Sequence, residues 1–161
     1  MSGINIVLVE PQIPQNTGNI ARTCAVTGAA LHLVHPMGFK VDDRKLKRAG
    51  LDYWHDLDIT YHRSLDDFFA ATVGPYVFFT SRAGRVYTEH EYPRGVYLVF
   101  GREDAGLSEG LLRRFPHCLA QIPMLDGARC LNLSSSVAVA AYEALRCQGF
   151  SGLQVKHEIN I

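Results

Sequence analysis

Apolar residues fall along this chain in short, nearly unbroken runs, separated by stretches in which they recur every three or four positions. The runs Ile4–Val9, Leu31–Val34, Asp58–Tyr61, Tyr76–Thr80, Val96–Phe100 and Cys118–Ile122 are rich in β-branched and aromatic residues and predict strands. The stretches around Thr17–Thr27, Asp42–Ala49, Leu65–Ala71, Glu109–Phe115 and Ser134–Gln148 predict helices. A strand that is apolar on both sides must be covered on both faces. Such strands alternating with helices indicate an α/β fold built on a parallel sheet. Gly28 and Gly149 follow the first and last helices, where a left-handed C-cap favours glycine. No linker, repeat or low-complexity tract divides the chain. It reads as a single domain over residues 1–154 with a loose tail at 155–161.

The last helix carries Ser134, Ser135, Ser136, Ala138, Ala140, Ala141 and Ala144. So many small side chains let another backbone approach closely, either the chain's own sheet or a partner subunit.

Composition narrows the class. With 161 residues and 47% hydrophobic content the chain can bury a core without disulfides or metals. Lys plus Arg and Asp plus Glu both number 16, so the formal net charge is zero. That balance argues against a general nucleic-acid coat, which carries a basic excess, and leaves room for a local basic face. Met1 leads directly into an apolar strand with no basic leader, and no apolar stretch approaches the ~20 residues a membrane span requires. The four cysteines form no C-x-x-C pair, and the seven histidines show no ligand spacing such as H-E-x-x-H. The expectation is a cytoplasmic protein with no metal, no disulfide and no membrane contact.

Four segments could carry chemistry. Asn16-Thr17-Gly18-Asn19-Ile20-Ala21-Arg22 opens the first helix after the Pro11–Pro14 turn, where free backbone N–H groups make an anion site and Arg22 would lie near the opening. A capped helix with a surface arginine accounts for the same residues. Phe100-Gly101-Arg102-Glu103-Asp104-Ala105-Gly106-Leu107 follows a strand at the carboxyl edge of the sheet, where α/β proteins bind ligands. It is neither G-x-G-x-x-G nor a P-loop, which disfavours a dinucleotide-binding oxidoreductase. A ligand-free glycine turn also fits it. Ile122-Pro123-Met124 and Arg129-Cys130-Leu131-Asn132-Leu133-Ser134 lead from another strand into the last helix, with Ser134 as its expected N-cap. Asp42–His55 combines a basic cluster with Tyr53, Trp54 and His55, which suits RNA phosphates and stacked bases, or a solvated amphipathic helix.

Taken in this order, the segments resemble the SPOUT methyltransferases, and within them the tRNA (cytidine/uridine-34) 2′-O-methyltransferases of the TrmL family. The residues that carry the likeness are Val7–Arg22, His35–Phe39, Lys47–Tyr53, Phe100-Gly101-x-Glu103-x-x-Gly106-Leu107, Ile122-Pro123-Met124 and Leu131–Ser134. The likeness spans roughly residues 4 to 150, and several individually weak motifs agree in order and spacing.

The resemblance implies a deep C-terminal trefoil knot, a homodimer, and S-adenosyl-L-methionine (SAM) as the methyl donor to a ribose 2′-hydroxyl in a tRNA anticodon loop. It assigns the cofactor to Phe79, Thr80, Gly101, Gly106, Ile122, Met124, Cys130, Leu131 and Ser136. Arg22 would act at the ribose, with Asn16, Glu103 and Asn132 shaping the site. A guanidinium stays protonated, so Arg22 is better suited to holding a phosphate and stabilising alkoxide charge than to serving as a base. Arg48, Tyr53 and His55 are the expected RNA contacts, with Arg82 and Arg85 as further candidates. Three departures stand out. Cys130 occupies a position where relatives often carry serine, and Arg102 and Asp104 replace the proline and hydroxyl residue expected there. Two rival readings are a SPOUT enzyme acting on another tRNA or rRNA site, and a non-catalytic cofactor-binding RNA-binding dimer.

Overall fold

A computed structural model describes residues 3–40, 54 and 56–154. The strands are β1 (Ile4–Val9), β2 (Ala30–Val34), β3 (Ile59–His62), β4 (Tyr76–Phe79), β5 (Val96–Phe100) and β6 (Leu119–Ala120). The helices are α1 (Pro14–Thr27), α2 (Leu65–Ala71), α3 (Glu109–Arg114) and α4 (Leu133–Cys147). The helix expected over Asp42–Ala49 lies outside the described residues.

All six strands are parallel, in the order β3-β2-β1-β5-β4-β6. The β1 side chains explain the unbroken apolar run. Ile4, Ile6 and Leu8 enter a core formed with Ile20, Ala21 and Cys24 of α1 and Val137, Ala140, Ala141 and Ala144 of α4. Val7 and Val9 face the opposite core, with Phe68 of α2 and Leu111 and Leu112 of α3. The sheet is therefore the middle of three layers. Ala140, Ala141 and Ala144 are fully buried against the chain's own core, whereas Ser134, Ser136 and Ala138 are half-buried and Ser135 is exposed. Burial of the Cys24 thiol there pushes its pKa up to about 12.

Several boundaries differ from expectation for physical reasons. Helix α1 begins at Pro14 rather than Thr17, because proline at the first helical position forfeits only an N–H that would be unbonded anyway. Helix α4 is capped by Asn132 rather than Ser134. The Asn132 Oδ1 accepts from the Ser134 amide at 2.9 Å, the Ser134 hydroxyl at 2.7 Å and the Ser135 amide at 3.4 Å. Strand β6 is two residues long, and the chain continues beside it through a parallel bridge from Gln121 to Val86.

The strand order reverses between β1 and β5. The loop after β1 leads into α1 on the side of the sheet that carries α4, and the loop after β5 leads into α3 on the other. A crevice opens at such a switch point, at the carboxyl ends of the strands.

Candidate active site

The loop after β5 doubles back on itself. A Cβ on Gly101 would lie 2.2 Å from the carbonyl carbon of Gly106 and 2.3 Å from the amide nitrogen of Leu107, so only glycine fits. The Gly106 amide donates to the Arg102 carbonyl at 2.9 Å, and Gly106 itself has φ +66°. Both glycines are thus required by the backbone before any ligand is considered.

That fold-back delivers Glu103 to the start of α1. Ile13 occupies the N-cap position and offers no side-chain cap. The Glu103 carboxylate takes over, accepting from the Gln12 amide at 2.8 Å, the Ile13 amide at 3.1 Å and the Asn16 side-chain amide at 3.0 Å. It also places a negative charge at the positive end of the helix. The sequence-based expectation of an anion site at this helix opening is therefore corrected in one respect: the anion bound there belongs to the chain itself.

Asn16 is 5% exposed and extends the network. Its Oδ1 accepts from the Asn132 side-chain amide at 3.0 Å, and Asn132 in turn caps α4. Three segments far apart in sequence, around residues 12–16, 103 and 132–135, are joined through three side chains. Both oxygens of Glu103 are occupied by donors, which suits a positioning residue better than a proton acceptor. Beside it, Arg102 makes a bidentate pair with Asp104 at 2.9 and 2.8 Å and approaches Glu10 at 3.6 Å. The hydrogen bond to Arg102 holds the Asp104 carboxyl below its ordinary value. The two departures in this loop compensate each other.

Against this network lies a cavity of about 420 Å³. Its wall includes all nine residues assigned to the cofactor, Phe79, Thr80, Gly101, Gly106, Ile122, Met124, Cys130, Leu131 and Ser136, together with Asn16, Glu103 and Asn132. Phe79 stacks on Phe100 with ring centroids 4.7 Å apart, giving the cavity an aromatic floor. Ile13, Ser81, Arg102, Asp104, Gln121 and Leu133 also line it and were not assigned from sequence. Ile13, Arg102, Asp104 and Leu133 lie within motif segments singled out above, whereas Ser81 and Gln121 gave no local signal and join the wall only through the way the loops fold over one another.

Arg22 is elsewhere. It is exposed on α1 and lines a separate depression with Val26, Gly28, Asp56 and Asp58. The expectation that it sits near the helix opening is corrected. Six residues along a helix carry a side chain ~9 Å up the axis and onto a different face from Asn16. Arg48, Tyr53 and His55 lie outside the described residues.

The model of the SpoU rRNA methylase family matches residues 3–142. This chain belongs to the SpoU methylase family. A relative from Burkholderia ambifaria, named tRNA (cytidine(34)-2′-O)-methyltransferase, is 45% identical over 152 residues, which are 92% of this chain and 97% of the relative. Among solved structures, one concerned with 2-OH methylation of C/U34 on tRNA superposes with a TM-score of 0.85 at 44% identity, covering 91% of each chain. A SAM-bound rRNA methyltransferase from Sinorhizobium meliloti superposes with a TM-score of 0.80 at 27% identity, covering 91% of this chain and 57% of its own. Among the described residues no helix is long and apolar enough to cross a membrane, and no group of metal-binding side chains occurs.

Proposed function

We propose that this chain methylates the ribose 2′-hydroxyl of the wobble nucleotide, position 34, in tRNA anticodon loops, using SAM. What carries the reading is the cavity at the carboxyl ends of β4, β5 and β6, where the nine residues assigned to the cofactor converge beside the Glu103–Asn16–Asn132 network. Its ~420 Å³ falls within the ~300–1,000 Å³ common for small-molecule sites. Phe79, Ile122 and Leu131 supply apolar surface for an adenine, and the loop backbones supply polar groups. The cofactor contributes an electrophilic methyl group.

The protein's part is alignment and water exclusion, because an in-line displacement gains most from fixed geometry. Asn16 and Asn132 tie the loop before α4 to the start of α1. Gly101 and Gly106 set the opposite wall, and the hydroxyl proton passes to a phosphate or water. Arg22 does not line the cavity of its own protomer, so its action at the ribose calls for a second copy. The reading therefore includes a homodimer in which α1 of one subunit approaches the cavity of the other. It also includes the threaded C-terminal segment, in keeping with α4 packing on α1, β1 and β5. The four free cysteines suit a reducing cytoplasm. The tRNA substrate is preferred over rRNA because relatives named for C34 methylation are far more similar than the rRNA enzyme.

The test is tritium transfer from labelled SAM to bulk tRNA, with nuclease mapping of the product. Label at the wobble 2′-O-methyl, lost in Arg22→Ala, is the expected result. Label at another nucleotide discards the substrate assignment, and no label with any RNA discards the enzyme. Mixing Arg22→Ala with a Gly101-damaged subunit should restore partial activity if Arg22 acts across a dimer.

A further inference from the structure

Two guanidinium groups line the cavity, those of Arg82 and Arg102. Arg102 is committed to Asp104 and Glu10. Arg82 has no hydrogen-bond or ion-pair partner for its side chain among the described residues. It is exposed and sits on the turn after β4, which its own backbone amide tightens by donating to the Thr80 hydroxyl oxygen at 3.3 Å. The carboxylates of the cavity offer it nothing, since Glu103 is occupied by α1 and Asp104 by Arg102. Nearby Arg85 is also engaged, donating to the Glu89 carbonyl. Among the described residues lining the cavity, Arg82 is therefore the cation left uncommitted, carried on the turn at the carboxyl end of β4 and facing solvent.

We propose that Arg82 binds the phosphodiester adjoining the ribose that is methylated, and so sets the 2′-oxygen in line with the cofactor. This rests on the function proposed above. A ribose 2′-hydroxyl has a phosphate on the neighbouring 3′ carbon, so an anion always accompanies the reacting atom. The guanidinium fork matches two phosphate oxygens at once, which fixes orientation as well as position. An exposed rim site suits an incoming polymer, whereas the carboxylate of the cofactor's methionine portion would enter with the buried ligand.

The experiment compares wild type, Arg82→Ala and Arg82→Lys in three measurements: SAM affinity by calorimetry, tRNA affinity by filter binding over a salt series, and the KM for tRNA. For Arg82→Ala, tRNA binding and KM should weaken roughly tenfold to a hundredfold, as for loss of a charge-assisted contact. The slope of log affinity against log salt should fall by about one phosphate, and SAM affinity should stay within twofold. Arg82→Lys should recover part of the affinity but not full turnover. Weakened SAM binding with unchanged tRNA binding would assign Arg82 to the cofactor's carboxylate and overturn the proposal. No change in either ligand would overturn it as well. Wild type that binds tRNA in an Arg82-dependent way yet transfers no methyl group refutes the function while the contact stands. Wild type that binds no tRNA removes both.

Discussion

Replacing Glu103 with glutamine keeps its size and removes its charge. In the native site the carboxylate accepts three hydrogen bonds, from Gln12 N, Ile13 N and Asn16 Nδ2, at 2.8 to 3.1 Å. A glutamine presents one accepting oxygen and one donating NH2, so at least one of these donors must face another donor. Hydrogen bonds to a charged group contribute ~1.5–3 kcal/mol, and a negative charge at a helix start ~0.3–1 kcal/mol. Because the site is partly open to water, the lower part of that range applies, and Glu103→Gln should cost about 2 kcal/mol. For a domain of this size that lowers Tm by roughly 4–8 °C. Denaturation followed by circular dichroism measures it directly. Activity should fall with stability, because Asn16 loses its anchor and transmits the looseness to Asn132 and the start of α4. Asn16→Ala should then add little further loss to Glu103→Gln, the two being one network. The reasoning fails if Glu103→Gln melts like wild type and binds SAM normally yet transfers no methyl group. Glu103 would then act on the substrate itself rather than through the α1 cap.

Gly101→Ala should be far more severe, because its Cβ would lie 2.2–2.4 Å from backbone atoms of Gly106 and Leu107. A destabilisation above ~3 kcal/mol with loss of SAM binding by calorimetry is expected, and near-native binding would contradict the close approach. Thr17 is fully buried, and its hydroxyl has no hydrogen-bond partner among the described residues. Thr17→Val should therefore be neutral or stabilising by up to ~1 kcal/mol in urea unfolding, and clear destabilisation would point to a water or ligand on that hydroxyl. His32 and His62 share a contact of 3.0 Å beside Phe68, and burial lowers the His32 pKa to about 4, with His62 shifted the same way. A folded-state pKa below the unfolded 6.5 means that the unfolded chain binds the extra proton. Stability should be full above pH 6.5 and decline as pH falls toward 4, by at most ~1.4 kcal/mol per pH unit for His32. His32→Gln should flatten that slope in unfolding measured from pH 7 to 4.5, and an unchanged slope would exclude this histidine as its source.

The pattern of apolar runs was enough to establish a parallel α/β sheet and the rough positions of its strands, because burial on both faces leaves few polar residues in a strand. Local chemistry was also legible in the glycines of the loop after β5 and in the polar residues at the two helix starts that border the site. A resemblance joining several weak motifs assigned the cofactor residues, and all nine line one cavity. The partners were not legible. Nothing in residues 12–16 announces that their cap is a carboxylate some ninety positions away, or that Asn16 meets Asn132. Those contacts follow from strand order, which places β5 beside β1, and strand order depends on long-range packing rather than on local periodicity. The placement of Arg22 shows the same limit, since helical spacing fixes its face relative to Asn16 but only the packed helix shows which face meets the cavity. Sequence alone thus determined the approximate positions of the described strands and helices and of the glycine turns. The tertiary structure decided which of them touch, because contact between distant segments is set by how the three layers close around the sheet.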